Sequence, residues 1–193
     1  MSKKYLETIK AVNGEVYNLE YHQRRLENTL EGSKKHTLLQ SLKPPSRGLF
    51  RCRVVYDKES LNVEYLNYSK RQVKTLKIVY SDDIEYPKKY ENRDAIGELF
   101  ALRGNCDDIL IVKGGLVTDT SIANVAFYDG KRWLTPKRPL LYGTTRERYL
   151  KDDLLVEADI FVDDIREFTK VALMNAIIDF DIIPLNNIED IIC

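Results

Sequence analysis

The stretch "GLVTDTSIANVAFYDGKRWLTP", residues 115–136, places an acid, Asp119, with Thr120, Ser121 and Asn124 between two short apolar runs, where a plain hairpin needs none of them. By itself Asp119 reads more readily as a turn residue. Three other groupings have chemical potential. Arg51 and Arg53 alternate onto one face of the strand expected in "LFRCRVVY", an arrangement that can clamp substrate carboxylates or simply form the wet face of a sheet. Gly143, Thr144 and Thr145 open "GTTRERYLKDD" as a helix start, whose unpaired N–H groups and positive dipole end suit an anion, or form an ordinary cap. Lys88 and Lys89, adjacent in "YPKKYENR", read on their own as solvated surface residues.

Composition limits what these groups can serve. The chain has 193 residues, 44% of them apolar, enough to bury a core in one large or two small domains. Thirty Lys and Arg balance thirty Asp and Glu, so there is no net field to hold a nucleic acid backbone or an anionic membrane. Cys52, Cys106 and Cys193 lie far apart without a CxxC, and there are two histidines; neither a disulfide framework nor a structural zinc site is indicated. No apolar leader and no membrane-spanning run is visible, so a cytoplasmic protein is expected.

The elements that must position these groups follow from local pattern. "KYLETIKAV", Asn13-Gly14 and "EVYNL" predict two strands around a type I′ turn. "EYHQRRLENTLEGSKK" predicts a helix with Leu26 and Leu30 on one face and Gly32 as its stop. "KPPSRG" breaks it, and "LFRCRVVYDKESLNVEYLNY" predicts two alternating strands. The second half alternates more regularly: a helix in "ENRDAIGELFALRG", a buried strand in "DDILIVKGG", a strand pair around Asp129-Gly130, the helix opening at Gly143, then "KVALMNAIIDFDIIPL", interrupted at Asn175. We expect an α+β protein with a small domain over residues 1–83 and a larger α/β domain over 84–193.

In order along the chain, "YLETIK", "EYHQRRL", "KKYENR", "DDILIVKGGLVTDTSIAN", "LTP", "GTTRER" and "LMNA" resemble the class IV aminotransferase family, the fold-type IV pyridoxal phosphate enzymes. That family includes branched-chain aminotransferases, D-amino-acid transaminases and 4-amino-4-deoxychorismate lyases, and the resemblance is closest to the lyases. It implies a two-domain fold like D-amino-acid aminotransferase, here with a shortened N-terminal small domain, and a homodimer acting on a small amino-group substrate. It implies pyridoxal 5'-phosphate as cofactor, carried covalently by Lys89 in the pattern of a Lys three residues before Asn92, with Lys88 as the neighbouring register. Arg25 matches the family's phosphate-binding arginine, with His22 supporting the fold beside it. Ser121, Gly143, Thr144, Thr145, Asn175 and Ala176 are further donors to the cofactor. Asp119 stands where the family usually has Glu, against the ring nitrogen, whose proton a carboxylate retains. The expected reaction is conversion of 4-amino-4-deoxychorismate to 4-aminobenzoate and pyruvate. The alternatives are amino transfer from branched-chain or D-amino acids, or a cofactor-binding protein with impaired turnover.

Overall fold

The alternation in "YLETIKAV" folds as β1 (Tyr5–Val12), which buries Glu7, Ile9 and Ala11 on one face. The computed structural model describes residues 3–184 and 188–192. Asn13 and Gly14 both take positive φ, 48° and 89°, as a type I′ turn requires. The partner strand β2 (Glu15–Val16) is short, because Asn18 at φ 53° turns the chain into α1 (Leu19–Thr29). A short helix α2 (Leu38–Ser41) precedes β3 (Leu49–Tyr56) and β4 (Leu61–Asn67). The strands form an antiparallel sheet in the order β2-β1-β3-β4, with β1 and β3 in register from Tyr5↔Tyr56 to Val12↔Leu49. Ile9, Ala11, Cys52, Val54 and Tyr56 pack against Leu26, Leu30, Leu38 and Leu42. Each fully buried aliphatic side chain here contributes roughly 1.5–3 kcal/mol.

One further segment belongs to this first unit, which comprises residues up to Lys70 together with Lys88–Asn92. Leu6 N–H donates to the Lys89 carbonyl at 2.8 Å, Glu91 N–H donates to the Lys4 carbonyl at 3.0 Å, and Tyr5 bridges Tyr90. Relative to a boundary between residues 83 and 84, both 71–83 and 88–92 lie across it, because β5 is drawn into the other sheet and Lys88–Asn92 is bonded to the free edge of β1.

The second unit holds Arg71–Pro87 and the residues from Arg93 onward. Its elements are β5 (Leu76–Tyr80), α3 (Asp94–Ala101), β6 (Asp108–Lys113), β7 (Leu116–Thr120), β8 (Asn124–Tyr128), β9 (Trp133–Pro136), α4 (Thr144–Lys151) and β10 (Val156–Ala158). A 3-10 turn at Val162–Glu167, β11 (Lys170–Asn175), β12 (Asp179–Ile182) and α5 (Ile188–Ile191) complete it. β5 with β6 and β9 with β10 are parallel pairs, and the others are antiparallel. β8 pairs with β7 at Asn124, with β9 at Phe127 and Tyr128, and with β11 along its length. The period of two sorts its residues: Val125 and Phe127, with Val171 and Leu173, enter a core with Ile160, Ile165 and Ile191. Ala126, Ala172 and Met174 face the other way, toward Tyr149 and Leu150 of α4. This face carries α4, and with it the Gly143 helix start.

The strand pair around Asp129-Gly130 is observed, and its loop runs over residues 129–132, where the Asp129 carboxylate accepts from the Lys131 and Arg132 amides, each at 2.8 Å. Cys52 is buried and free, but Cys106 is disulfide-bonded, which linear spacing did not indicate. The α+β class with two sheets is observed. Among the described residues, no helix is long and apolar enough to cross a membrane.

Candidate active site

In the first unit the site is built on an acid in an apolar row. Glu7 shares the buried face of β1 with Ile9 and Ala11 and is fully buried, as is His22 one turn before Leu26 on α1. His22 Nδ1 lies 2.6 Å from Glu7 Oε2, and Arg25 Nε donates to Glu7 Oε1 at 2.7 Å, with a second contact from Arg25 Nη2 to Oε2. Burial alone pushes the Glu7 carboxyl up; the Arg25 charge and the hydrogen bonds from His22 and Arg25 outweigh it and hold the group at about 2. His22 is shifted the other way by burial, against the pull of Glu7, and the positive charges of Arg25 and Lys89 add to that lowering. His22 is therefore neutral, with Nδ1–H donating to an ionised Glu7; among the described residues its Nε2 has no hydrogen-bond partner.

Lys88 and Lys89 are separated by their surroundings. Lys88 Nζ donates to the Thr29 carbonyl at 3.0 Å, at the end of α1, and lies 5.6 Å from the centre of the Tyr5 ring. Lys89 is fixed through its main chain to Leu6 and is half-buried, and its charge is felt at His22. Asn92 ends the segment on the surface. Arg51 and Arg53 do share the face of β3 opposite Cys52 and Val54. They differ in company, however: Arg53 pairs with Glu91 at 2.9 Å and Glu64 at 3.3 Å, whereas Arg51 is exposed.

In the second unit, Asp119 is 5% exposed and opposite Asn124 in the β7–β8 pair. Asn124 Nδ2 donates to Asp119 Oδ1 at 2.7 Å and to the Leu141 carbonyl at 2.8 Å, while Leu141 N–H donates to Asp119 Oδ2 at 2.9 Å. Burial raises the Asp119 carboxyl to about 6; hydrogen bonds from Leu141 and Asn124 and the Arg146 charge only partly oppose it. Gly143 packs so tightly on Asn124 that an added Cβ would lie 2.0 Å from Asn124 Oδ1. Thr144 and Thr145 are buried in the first turn of α4, whose N-terminus has no side-chain cap. Ser121 is buried, and its amide donates to Asp108 Oδ1 at 3.2 Å. Asn175 Oδ1 accepts from the amides of Ile177 and Ile178, shaping the turn that includes Ala176, and its Nδ2 donates to the Ile122 carbonyl at 3.3 Å. Asp119, Ser121, Gly143 and Asn175 are thus gathered around the β7–β8 turn.

Sequence reasoning missed Glu7, Glu91 and the Leu141 amide. Glu7 had a signal, since an acid in register with Ile9 and Ala11 on a core face must find a cationic partner. Glu91 and Leu141 had none, because their partners lie 38 and 22 residues away. Each unit, taken by itself, carries groups of the kind pyridoxal phosphate needs. The first has the Arg25 guanidinium; the second has the uncapped amides of the first turn of α4 and the buried acid Asp119.

The two-sheet architecture is that of the fold-type IV proteins. A solved structure from Haemophilus somnus 129pt, provisionally named a 4-amino-4-deoxychorismate lyase, superposes with a TM-score of 0.81 and 31% identity, covering 92% of this chain and 97% of that one. A hypothetical aminotransferase from Mycobacterium tuberculosis in its PLP-bound form has the same fold, with a TM-score of 0.74 at 15% identity over 94% of this chain and 80% of that one. An uncharacterized protein of Haemophilus influenzae is 40% identical over 179 residues, 88% of this chain and 95% of that protein. The amino-transferase class IV family matches residues 92–187. The chain belongs to the class IV aminotransferase family.

Proposed function

We propose that this protein is a pyridoxal-phosphate-dependent lyase that converts 4-amino-4-deoxychorismate to 4-aminobenzoate and pyruvate, and that it works as a homodimer. The cofactor assignment is supported by family membership and by the place of Lys89: its main chain is bonded to Leu6 and its charge is felt at His22, while the neighbouring Lys88 amine donates to the Thr29 carbonyl. The choice of reaction is supported by the likeness to the Haemophilus somnus protein.

When bound, pyridoxal phosphate supplies an electron sink for the carbon bearing the substrate amine. Lys89 Nζ would hold the cofactor and would serve as the base that takes the proton from the substrate carbon bearing the amine. In the first unit Arg25 is the candidate phosphate ligand; in the second, the amides of Thr144 and Thr145 are, with Ser121 and the Asn175-Ala176 turn as further donors. Asp119, raised only to about 6, is mostly ionised at neutral pH and holds a proton on the ring nitrogen.

The test is to add pyridoxal phosphate, reduce with borohydride and locate the modified peptide by mass. Label on Lys89 is expected; label on Lys88 shifts the register, and label on neither overturns the enzyme reading. Release of pyruvate and 4-aminobenzoate should then accompany turnover. Amino transfer to a keto acid without pyruvate establishes the second reading, a class IV aminotransferase acting on branched-chain or D-amino acids, which family membership favours. Light scattering of the purified protein reads the oligomeric state.

A further inference from the structure

Arg51 and Arg53 read as a pair in the sequence, yet the fold gives them different work. Arg53 Nη2 donates to Glu91 Oε1 at 2.9 Å and Nη1 to Glu64 Oε2 at 3.3 Å. Glu64 lies directly opposite Arg53 on β4, so the guanidinium reaches from β4 across β3 to the segment that carries Lys89. Glu91 is two residues beyond Lys89, and this short segment is otherwise attached to β1 by the Leu6–Lys89 and Lys4–Glu91 main-chain bonds and the Tyr5–Tyr90 contact. One cation is shared between two carboxylates, so a substrate carboxylate brought to Arg53 would meet a net negative charge. Arg51 stands opposite Lys10 and, among the described residues, pairs with no acid.

We propose that Arg53 is a positioning residue, which holds the Lys89 segment against β1 through Glu91 and does not contact substrate. This rests on the reading that Lys89 carries the cofactor. An ion pair at the far end of the segment resists its local fraying from β1. Arg53 and Glu91 are about one-third exposed, 29% and 33%, so the coupling is modest and must be read with a local probe.

Hydrogen exchange of the Leu6 and Glu91 amides in the cofactor-free protein reports opening directly. Arg53→Gln and Glu91→Gln should each speed that exchange about threefold to fivefold, the scale of a partly exposed ion pair. The double variant should be no faster than either single one, because both remove the same contact. Glu64→Gln, with its longer bond, should change exchange less. In the cofactor-loaded protein, both single variants should slow borohydride-trapped labelling of Lys89 and lower kcat by a similar factor, with KM within about twofold of wild type.

Unchanged exchange in both variants, with wild-type label on Lys89, overturns the proposal alone. A large rise in KM for Arg53→Gln that Glu91→Gln does not share also overturns it, and assigns Arg53 to the substrate carboxylate. Wild-type label on a different lysine overturns the cofactor reading itself, and the proposal with it.

Discussion

Glu7 in the first unit and Asp119 in the second are both carboxylates that the fold takes out of water, and they end on opposite sides of the ordinary carboxylate range, at about 2 and about 6. Burial pushes each of them up. Glu7 is brought back down by a guanidinium in contact with both its oxygens and by an imidazole. Asp119 has a carboxamide and main-chain amides as its partners, and Arg146 only as a weaker charge. The neutral donors to Asp119 only partly offset its loss of hydration, whereas the cation in contact with Glu7, together with the His22 bond, outweighs it. The two regions therefore suit different tasks. Glu7 is a permanent anion that fixes Arg25, whereas Asp119 sits near the pH at which a proton is readily exchanged.

The sharpest way to break this comparison is to remove the permanent anion. Glu7→Gln leaves Arg25 and His22 against an uncharged amide, and a loss of about 3–5 kcal/mol in unfolding free energy is expected, read by urea denaturation at pH 7. A loss below about 1 kcal/mol would show that the cluster does not depend on charge.

Next in size is the pH dependence, which should run in opposite directions for the two acids. The folded pKa of Glu7 lies below its ordinary 4.5, so its stabilisation is present above 4.5 and disappears as pH falls through 2. The folded pKa of Asp119 lies above its ordinary 3.8, so its stabilisation is present below 3.8 and disappears as pH rises through 6. Each swing amounts to about 3 kcal/mol at one pH unit per 1.36 kcal/mol. In cofactor-free protein, Asp119→Asn should therefore gain on wild type by up to about 3 kcal/mol between pH 4 and pH 7. Parallel stability curves for the two proteins would remove Asp119 as a titrating group in this range.

The smallest effect sharpens the comparison at the steric level. Gly143→Ala puts a methyl group 2.0 Å from Asn124 Oδ1, and the amide that donates to Asp119 must move. A cost of about 1–3 kcal/mol is expected from overpacking. With Asn124 displaced, Asp119 loses a donor to its ionised form and its titration, followed by carboxyl NMR, should move further upward. A variant with wild-type stability and an unmoved Asp119 would show that this turn accommodates a side chain.

Much of the scaffold was legible from neighbouring residues. Asn13-Gly14 specified its turn, the alternation in β1 and β3 sorted their faces, and the start of α4 at Gly143-Thr144 followed from local pattern, because each depends on groups within a few positions. Glu7 was half legible, as an acid in an apolar row with no visible partner. At the β8–β9 turn the Asp-Gly pair was visible, whereas the grip of the Asp129 side chain on two later amides was not.

By itself, then, the sequence determined which segments are strands and helices, which faces are apolar and which residue types are on offer at each turn. Only the tertiary structure decided that Glu7 stays charged while Asp119 is poised near 6, that Lys88 is tied to the end of α1, and that Arg53 belongs to Glu91. Those outcomes depend on partners 15 to 59 residues apart, such as His22 for Glu7 and Thr29 for Lys88. Electrostatics and close packing act through space, so no pattern in the linear chain could have specified them.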